Sequence, residues 1–154
     1  MIRPEDLRIG DLVRVRKGYV FTEDEICKVV ATESCSLGKK MEGGCITLKG
    51  LSWGEFTVGY CKNYKEIDPI PLAPEIFDKN DFTEEVVGEY YTKPLDNETH
   101  PIARYLAVEQ KRENWCVFIK YRIFHDCALL RKIQHVHELQ HILWALGLDA
   151  NLKI

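Results

Sequence analysis

The stretch LRIGDLVRVR, Leu7–Arg16, decides which fold we expect for the first half of the chain. In its second part the apolar residues Leu12, Val13 and Val15 are interleaved with arginines. This rough period of two is typical of a strand with one buried face. The residues before Leu12 have the character of a lead-in turn, so we predict a turn followed by the first strand of a sheet.

Glycines divide the rest of the first half into short apolar runs. Short strands separated by glycines favour a small twisted barrel or meander over a parallel α/β sheet. The opening Leu7–Val13 also resembles the lead-in turn and first strand of an SH3-like barrel. The further predicted strands of this half are Ile26–Ala31, Cys45–Leu48 and Phe56–Cys61.

Prolines interrupt the middle of the chain. Each proline in Ile67–Pro74 removes a backbone donor, so this stretch can be neither a central strand nor the interior of a helix. We therefore predict an extended connector. Pro74 suits the first turn of a helix, where its missing N–H costs least, and a short helix is predicted over Glu75–Lys79.

The second half returns to strand patterns and ends in a helical one. We predict a strand over Val86–Thr92 and a hairpin of Ala103–Val108 with Trp115–Phe124. Asp126 is the predicted N-cap of a long helix that ends near Leu146. This helix is expected to cover the second sheet, because its apolar residues share one face. Those residues are Leu129, Ile133, Val136, Leu139, Leu143 and Leu146.

The length favours one domain, since 154 residues and 17.9 kDa suit a single compact core. We expect an α+β domain with three subregions. Residues 1–66 form the SH3-like, β-rich part, and residues 67–80 form the proline connector and the short helix. Residues 81–154 form a small antiparallel sheet packed by the long C-terminal helix.

Composition and charge exclude several classes of protein. Hydrophobic residues make up 45% and charged residues 29%, which excludes gross disorder. The 21 Lys and Arg against 24 Asp and Glu give a net charge of −3, so the chain is not a strongly basic nucleic-acid binder. No apolar run approaches the roughly 20 residues of a membrane helix, and Met1–Gly10 lacks the apolar core of a secretion signal. We expect a cytoplasmic protein with no membrane partner.

The cysteines fit the same compartment. There are six, at positions 27, 35, 45, 61, 116 and 127, and none forms a C-x-x-C pair. This spacing indicates neither a zinc ribbon nor a thioredoxin-like redox site. Cys27 and Cys116 lie in apolar runs and read as small buried side chains. Reduced, structural thiols are the expected state.

One motif near the end of the chain points to chemistry. His137, Glu138 and His141 form an H-E-x-x-H pattern on the predicted helix. Residues four apart on a helix are neighbours, so the two imidazoles could bind one zinc ion while Glu138 acts as the base for a zinc-bound water. The metal would lower the pKa of that water and polarise a scissile carbonyl. The pattern therefore offers a zinc-dependent metallohydrolase as an alternative function.

The motif lacks a third ligand in the sequence. A catalytic zinc needs three protein ligands, and Asp149 supplies the sole ligand type among the 13 residues after His141. Trp144 stands where the metzincin continuation needs glycine. His135 lies roughly 160° round a helix from His137 and is expected to point away. We therefore favour a structural interpretation in which His137 flanks the apolar stripe while Glu138 and His141 face water.

Two further sets of residues could bind nucleic acid. Arg8, Arg14 and Arg16 are the best local candidates for a basic face, since strand side chains two apart share a face. A solvated strand face is the simpler interpretation. Four tyrosines alternate with polar neighbours and could stack on bases or peptides, although burial in a sheet is the commoner role. They are Tyr90, Tyr91, Tyr105 and Tyr121.

Three blocks of the sequence resemble a family of uncharacterised small proteins from anaerobic gut bacteria and their phages. They are Leu7–Val13, the proline-containing stretch Ile67–Leu72, and Val136–His141 with Ala145-Leu146. The resemblance covers about a quarter of the chain and implies no established activity. It does imply that the family usually has Gln and Asn at the positions of Glu138 and His141, so the H-E-x-x-H match would be a substitution on a structural helix.

These observations lead to one expected function and two alternatives. We expect a non-enzymatic accessory or adaptor protein of a phage or mobile element that binds another protein. It would have no catalytic, cofactor-binding or metal-binding residue. The first alternative is a zinc-dependent hydrolase with His137 and His141 as metal ligands and Glu138 as the catalytic base. The second alternative is a weak nucleic-acid binder.

Overall fold

The computed structural model describes residues 6–17, 23–36, 42–50, 55–59, 67–96, 99–100, 102–121 and 127–154. Within these residues it contains two five-stranded antiparallel sheets and two helices. The mixed α+β class is confirmed, and strands dominate. Contacts divide the chain into two compact units. The first unit comprises Met1–Ile70 and His135–Ala150, and the second comprises Pro71–Gln134 and Asn151–Ile154.

The first sheet lies in the first unit. Its strands are β1 (Leu12–Val15), β2 (Glu25–Ser36), β3 (Glu42–Gly50), β4 (Glu55–Gly59) and β5 (Ile67–Pro69). They are arranged in the order β4-β3-β2-β1-β5 with antiparallel neighbours. Val13 lies opposite Cys27 of β2 and Pro69 of β5, so β1 is an inner strand. The predicted strands of the first half are confirmed with shifted ends, although Cys61 lies outside the described residues.

The alternation noted in β1 places its valines in the core of this unit. Val13 and Val15 are two residues apart and are both buried, whereas Arg14 between them is partly exposed. The core also receives a residue from the lead-in turn and one from β5, so it spans the sheet. Its members are Leu7, Val13, Val15, Cys27, Val29, Ile46, Leu48 and Ile67.

The proline-rich middle is only partly a connector. Its first three residues form β5, which pairs with β1 at the edge of the sheet. The predicted connector over Ile67–Pro74 is therefore wrong for these residues, because an edge strand tolerates a missing donor that an inner strand would not. The short helix is confirmed as α1 (Pro74–Asp78), with its proline in the first turn as predicted.

The second sheet lies in the second unit. Its strands are β6 (Thr83–Val86), β7 (Tyr90–Pro94), β8 (Ala103–Lys111), β9 (Asn114–Tyr121) and β10 (Cys127–Ile133), in the order β10-β9-β8-β7-β6. The predicted hairpin is confirmed as β8 and β9, although Phe124 lies outside the described residues. The single strand predicted over Val86–Thr92 is wrong, because a turn separates β6 from β7. Gly88 in that turn has a φ of +69°, which glycine adopts without strain.

The predicted C-terminal helix is half as long as expected. Helix α2 is Val136–Ala145, and the segment before it is β10, an edge strand paired with β9. The apolar spacing in Cys127–Ile133 suits a helix on paper, but β9 supplies hydrogen-bond partners that a local pattern cannot reveal. Leu129 and Leu130 are accordingly exposed rather than on a buried helical face. Asp126, the predicted N-cap, lies outside the described residues.

Helix α2 also belongs to a different unit from the one we expected. The sequence placed it with residues 81–154 as the cover of the second sheet, but residues His135–Ala150 are part of the first unit. There the helix is joined to β1, since the backbone N–H of Leu12 donates to the Gln140 side chain. Val136 at its start donates to the carbonyl of Ile70 at 2.9 Å. Helix α2 therefore contacts the lead-in turn and β1.

The second unit is held together by aromatic side chains. The ring of Phe77 stacks on Tyr91 with 4.7 Å between the centroids, and Trp115 lies at the same distance from Phe77. The C-terminal residues return to this unit, because Lys153 donates its backbone N–H to the Asn80 side chain at 2.8 Å. Among the described residues, neither helix has the length and apolar character that crossing a membrane would require.

Candidate functional site

The polar residues of the H-E-x-x-H segment meet the lead-in turn in the first unit. Asp11 closes that turn: its backbone N–H donates to the carbonyl of Arg8 at 3.1 Å, and its carboxylate accepts the N–H of Arg8 at 2.7 Å. Gly10 has a φ of +103°, a conformation that favours glycine at this position of the turn. The turn thus presents a buried carboxylate at the start of β1.

His141 is bound to that carboxylate. Its Nε2 atom lies 3.0 Å from Oδ1 and 2.9 Å from Oδ2 of Asp11. In the tautomer that satisfies this contact, Nε2 carries the proton and donates it to the carboxylate, which only accepts when it is ionised. A protonated ring nitrogen has no lone pair for a metal, so this arrangement uses the Nε2 atom for a structural contact. The prediction that His141 faces water is wrong, since its side chain is only 17% exposed.

Glu138 forms the N-terminal cap of α2. Its Oε2 atom accepts the backbone N–H of His135 at 3.1 Å and lies 3.2 Å from Nδ1 of the same histidine. A glutamate at the third helical position satisfies a backbone donor that a helix start leaves unpaired. The candidate catalytic base therefore stabilises the helix start, and at 18% exposure it does not simply face water as predicted.

Gln140 joins three parts of the first unit, and sequence reasoning overlooked it. Its side-chain oxygen accepts the N–H of Leu12 at 2.9 Å, and its amide nitrogen donates to the carbonyls of Gly10 at 3.1 Å and Ala150 at 2.9 Å. The side chain is buried and makes a hydrogen bond at each end. The signal in the sequence was a glutamine that falls on the apolar side of an amphipathic helix.

His135 and His137 form a cluster of three imidazoles with His141. His137 is 6% exposed, and its ring centroid lies 5.7 Å from that of His135 and 5.9 Å from that of His141. The prediction that His135 points away is wrong, because His135 is the extended residue before the helix and does not follow helical geometry. Helical angles therefore did not apply to it.

His137 is the least satisfied member of this cluster. Its Nδ1 atom is buried and has no hydrogen-bond partner among the residues that the structure describes. Burial lowers the pKa of His137 below its ordinary value, while the charges of Asp11 and Glu138 act in the opposite direction. The neutral imidazole is thus the form that this environment favours.

The three imidazoles and two carboxylates do not converge as metal ligands do. Within the described ranges, no group of three or more His, Cys, Asp or Glu side chains is placed to hold a metal ion. Cys27 and Cys116 are free and buried in their strands, and Cys127 is free and exposed. Burial raises the pKa of the Cys27 thiol to about 11, which suits an inert core thiol.

Two large apolar side chains are exposed on the lead-in turn and on α2. Trp144 is 68% exposed, and the guanidinium of Arg8 lies 5.3 Å from its ring centroid. Ile9, in the same turn as Arg8, is 69% exposed. We call Arg8, Ile9 and Trp144 the turn–helix patch.

The candidate basic face is not assembled as one surface. Arg16 forms an ion pair with Asp68 of β5, including a contact of 2.9 Å between Nη2 and Oδ1. Arg8 is held over Trp144, and Arg14, the third candidate, is partly exposed on β1. Strand β1 therefore supplies little free positive charge to a phosphate backbone.

The four tyrosines separate into different environments. Tyr91 is fully buried between Phe77 and Trp115, so the core interpretation is confirmed for this residue. Burial, with a hydrogen bond to Glu84, raises the pKa of Tyr91 to about 12. Tyr90, Tyr105 and Tyr121 are partly exposed.

Comparisons with protein-family models, with curated proteins and with solved structures give no match to this chain.

Proposed function

We propose that this chain is a non-enzymatic adaptor protein that binds another protein through the turn–helix patch of its first unit. On this proposal it serves as an accessory protein of a phage or mobile element in the cytoplasm. The observation that carries the proposal is that His141 and Glu138 of the H-E-x-x-H segment both make structural contacts. His141 binds Asp11 and thereby attaches α2 to the lead-in turn, and Glu138 caps the start of the same helix through His135.

The strand arrangement supports an SH3-like identity for the first sheet. Strands β1 to β4 follow one another as an antiparallel meander, and β5 returns to pair with the free edge of β1. This order pairs the first strand of the unit with the last, as five-stranded small barrels do. Small barrels of this kind present loops and strand faces to partners while the core stays fixed.

The turn–helix patch has the composition of a protein-binding surface. Tryptophan and arginine are enriched among the residues that contribute most to protein–protein affinity. The exposed Trp144 is positioned by α2, and Ile9 is positioned by a turn that Gln140 and Asp11 hold in place. We expect a partner surface that is apolar at its centre and carries an acidic residue for Arg8.

Capture from the producing cells tests this proposal. The tagged full chain should retain one specific protein at micromolar concentration, and the purified pair should bind directly. Trp144→Ala and Ile9→Ser should each weaken that binding at least about tenfold. Val87→Ser replaces an aliphatic side chain that is 86% exposed in the second unit and should leave binding unchanged. A failure to capture any specific partner, or equal binding by all variants, would contradict the proposal.

A zinc-dependent hydrolase is the second candidate function, and one observation favours it. The rings of His137 and His141 lie edge to face 5.9 Å apart on successive turns of α2, beside a third imidazole. A modest rotation of His141 away from Asp11 would free its Nε2 atom for a metal. This candidate requires the Asp11 contact to break, and the zinc titration that closes the Discussion distinguishes it from the adaptor.

A further inference from the structure

One face of the second sheet carries aromatic rings paired with cations. Tyr91 and Trp115 point to the core of this unit, so the residues that alternate with them lie on the opposite face. The strand register places Tyr105 opposite Lys120 on that face, and Phe118 lies two residues from Lys120. We call Tyr90, Tyr105, Phe118, Lys111 and Lys120 the aromatic–lysine face.

Three cation–ring contacts occur on or beside this face. Lys120 Nζ lies 4.7 Å from the ring centroid of Tyr90, and Lys111 Nζ lies 5.5 Å from that of Phe118. The Arg104 guanidinium lies 4.8 Å from the ring centroid of Tyr105. Both lysines and Arg104 are exposed, whereas the three rings are partly exposed. Each of the three rings therefore lies next to a cation.

Small side chains lie between the rings. Ala107 is opposite Phe118 on one side and Thr92 on the other, and no bulky group rises from this position. A row of rings around small residues makes a shallow platform on which flat groups can stack. Sequence reasoning grouped Tyr90 with Tyr91, although neighbouring strand residues point to opposite faces.

We propose that the aromatic–lysine face binds single-stranded nucleic acid. The rings would stack on bases, while Lys111 and Lys120 turn their flexible stems toward phosphates. Charge complementarity favours this occupant, because Lys111, Lys120 and the neighbouring Arg104 are positive. Two carboxylates lie on the same face: Glu109 is paired with Lys111 at 2.9 Å, and Glu85 accepts from the Thr92 hydroxyl at 3.0 Å. A phosphate that contacts Lys111 therefore replaces its ion pair with Glu109. The binding surface differs from the turn–helix patch, so this proposal is independent of the adaptor function.

Tyr90 is placed to reorient toward a base. Its hydroxyl is buried and has no hydrogen-bond partner among the described residues. Turning this ring therefore breaks no hydrogen bond of the described part of the chain, and a nucleic-acid polar group could supply the missing partner. Duplex nucleic acid presents its bases edge-on in the grooves and cannot stack on such rings.

Fluorescence anisotropy of the full chain with 12-nucleotide probes tests this inference. Labelled oligothymidylate and oligouridylate distinguish DNA from RNA, and a duplex of the same length is the comparison. We expect single strands to bind with a dissociation constant of about 1–100 µM at low salt. Two lysine–phosphate contacts should give a slope of about −1.4 for log affinity against log salt. The duplex should bind more weakly than either single strand.

Variants of the aromatic–lysine face distinguish the contribution of ring stacking to binding from the contribution of charge. Phe118→Leu should weaken binding about tenfold at all salt concentrations. Lys120→Gln, an exposed change with little risk to folding, should reduce the magnitude of the salt slope by about 0.7. Lys49→Gln removes an exposed charge from β3 of the first unit and should change neither quantity.

The following outcomes would overturn the inference. No single strand binds at up to about 100 µM chain, the duplex binds as tightly as the single strands, or Lys49→Gln weakens binding as much as Lys120→Gln. Circular dichroism of each variant confirms that the sheets are retained. If Phe118→Leu unfolds, the slope change in Lys120→Gln decides the matter alone.

Discussion

At the scale of single residues, the buried imidazole of His137 is incompletely hydrogen-bonded within the described residues. It is buried beside two other imidazoles, and its Nδ1 atom lacks a partner among the described residues. The groups that face it are the carboxylates of Asp11 and Glu138 and the imidazoles of His135 and His141. The carboxylates favour a charged His137, but burial has the larger effect and favours the neutral form.

The stability of the chain should therefore depend on pH through His137. Its folded-state pKa lies below the unfolded value of about 6.5, so the unfolded chain binds the proton first as the pH falls. The free energy of unfolding should decrease as the pH drops below about 6.5, and the loss is complete once the pH is below the folded-state pKa. Urea unfolding at pH 7.5, 6.5 and 5.5, conditions spaced about one unit apart around the unfolded-state value, measures this decrease.

His137→Leu is the variant for this measurement, and His100→Gln in the second unit is its control. Removing the buried imidazole should make the pH dependence shallower, whereas the control should retain the wild-type slope. Equal slopes in wild type and His137→Leu would contradict the assignment of this dependence to His137.

At the scale of elements, the start of α2 determines what its polar residues do. The helix begins at Val136, so Glu138 occupies its third position and reaches back to the N–H of His135. Had the helix begun near residue 126, Glu138 would lie in its interior and would be free to act as a base. The role of Glu138 therefore depends on the residue at which α2 begins.

Replacing Glu138 tests that role. Glu138→Ala should lower the free energy of unfolding by about 1 kcal/mol, because the cap of α2 is lost. Glu138→Gln should cost less, since glutamine can accept the same backbone hydrogen bond. Glu113→Ala, in the turn between β8 and β9, is the control and should have little effect. Equal losses for the alanine and glutamine variants at position 138 would contradict a capping role.

The element boundaries show which parts of the fold the sequence could reveal. Local signals were sufficient for β1, for the hairpin of β8 and β9, and for the proline start of α1. They failed at β10 and β5, because both are edge strands whose hydrogen bonds come from a distant part of the chain. An edge strand has one neighbour and no strict alternation, so its sequence carries little period-two signal.

At the scale of the whole molecule, the site is assembled from residues about 130 positions apart. Asp11 meets His141, and Gly10 and Leu12 meet Gln140, although nothing in the local sequence links these segments. The H-E-x-x-H spacing correctly placed His137 and His141 on one helix. It could not indicate that a carboxylate from the lead-in turn occupies one imidazole, because that contact depends on which unit receives the helix.

The two proposed surfaces belong to different units of the chain. The turn–helix patch lies in the first unit, and the aromatic–lysine face lies in the second. Each can be altered without touching the other, so Trp144→Ala and Lys120→Gln serve as reciprocal controls. The near-neutral overall charge conceals the local clustering of cations and rings on the second sheet.

Zinc titration by calorimetry, on the full chain first freed of metal with a chelator, tests the central claim most directly. If α2 is a docking helix whose imidazole binds Asp11, zinc should show no saturable binding tighter than about 1 µM, well short of the affinity of a built zinc site. One zinc ion bound per chain below that concentration, and lost in the double variant His137→Ala with His141→Ala, would contradict the account and establish the hydrolase alternative's metal site.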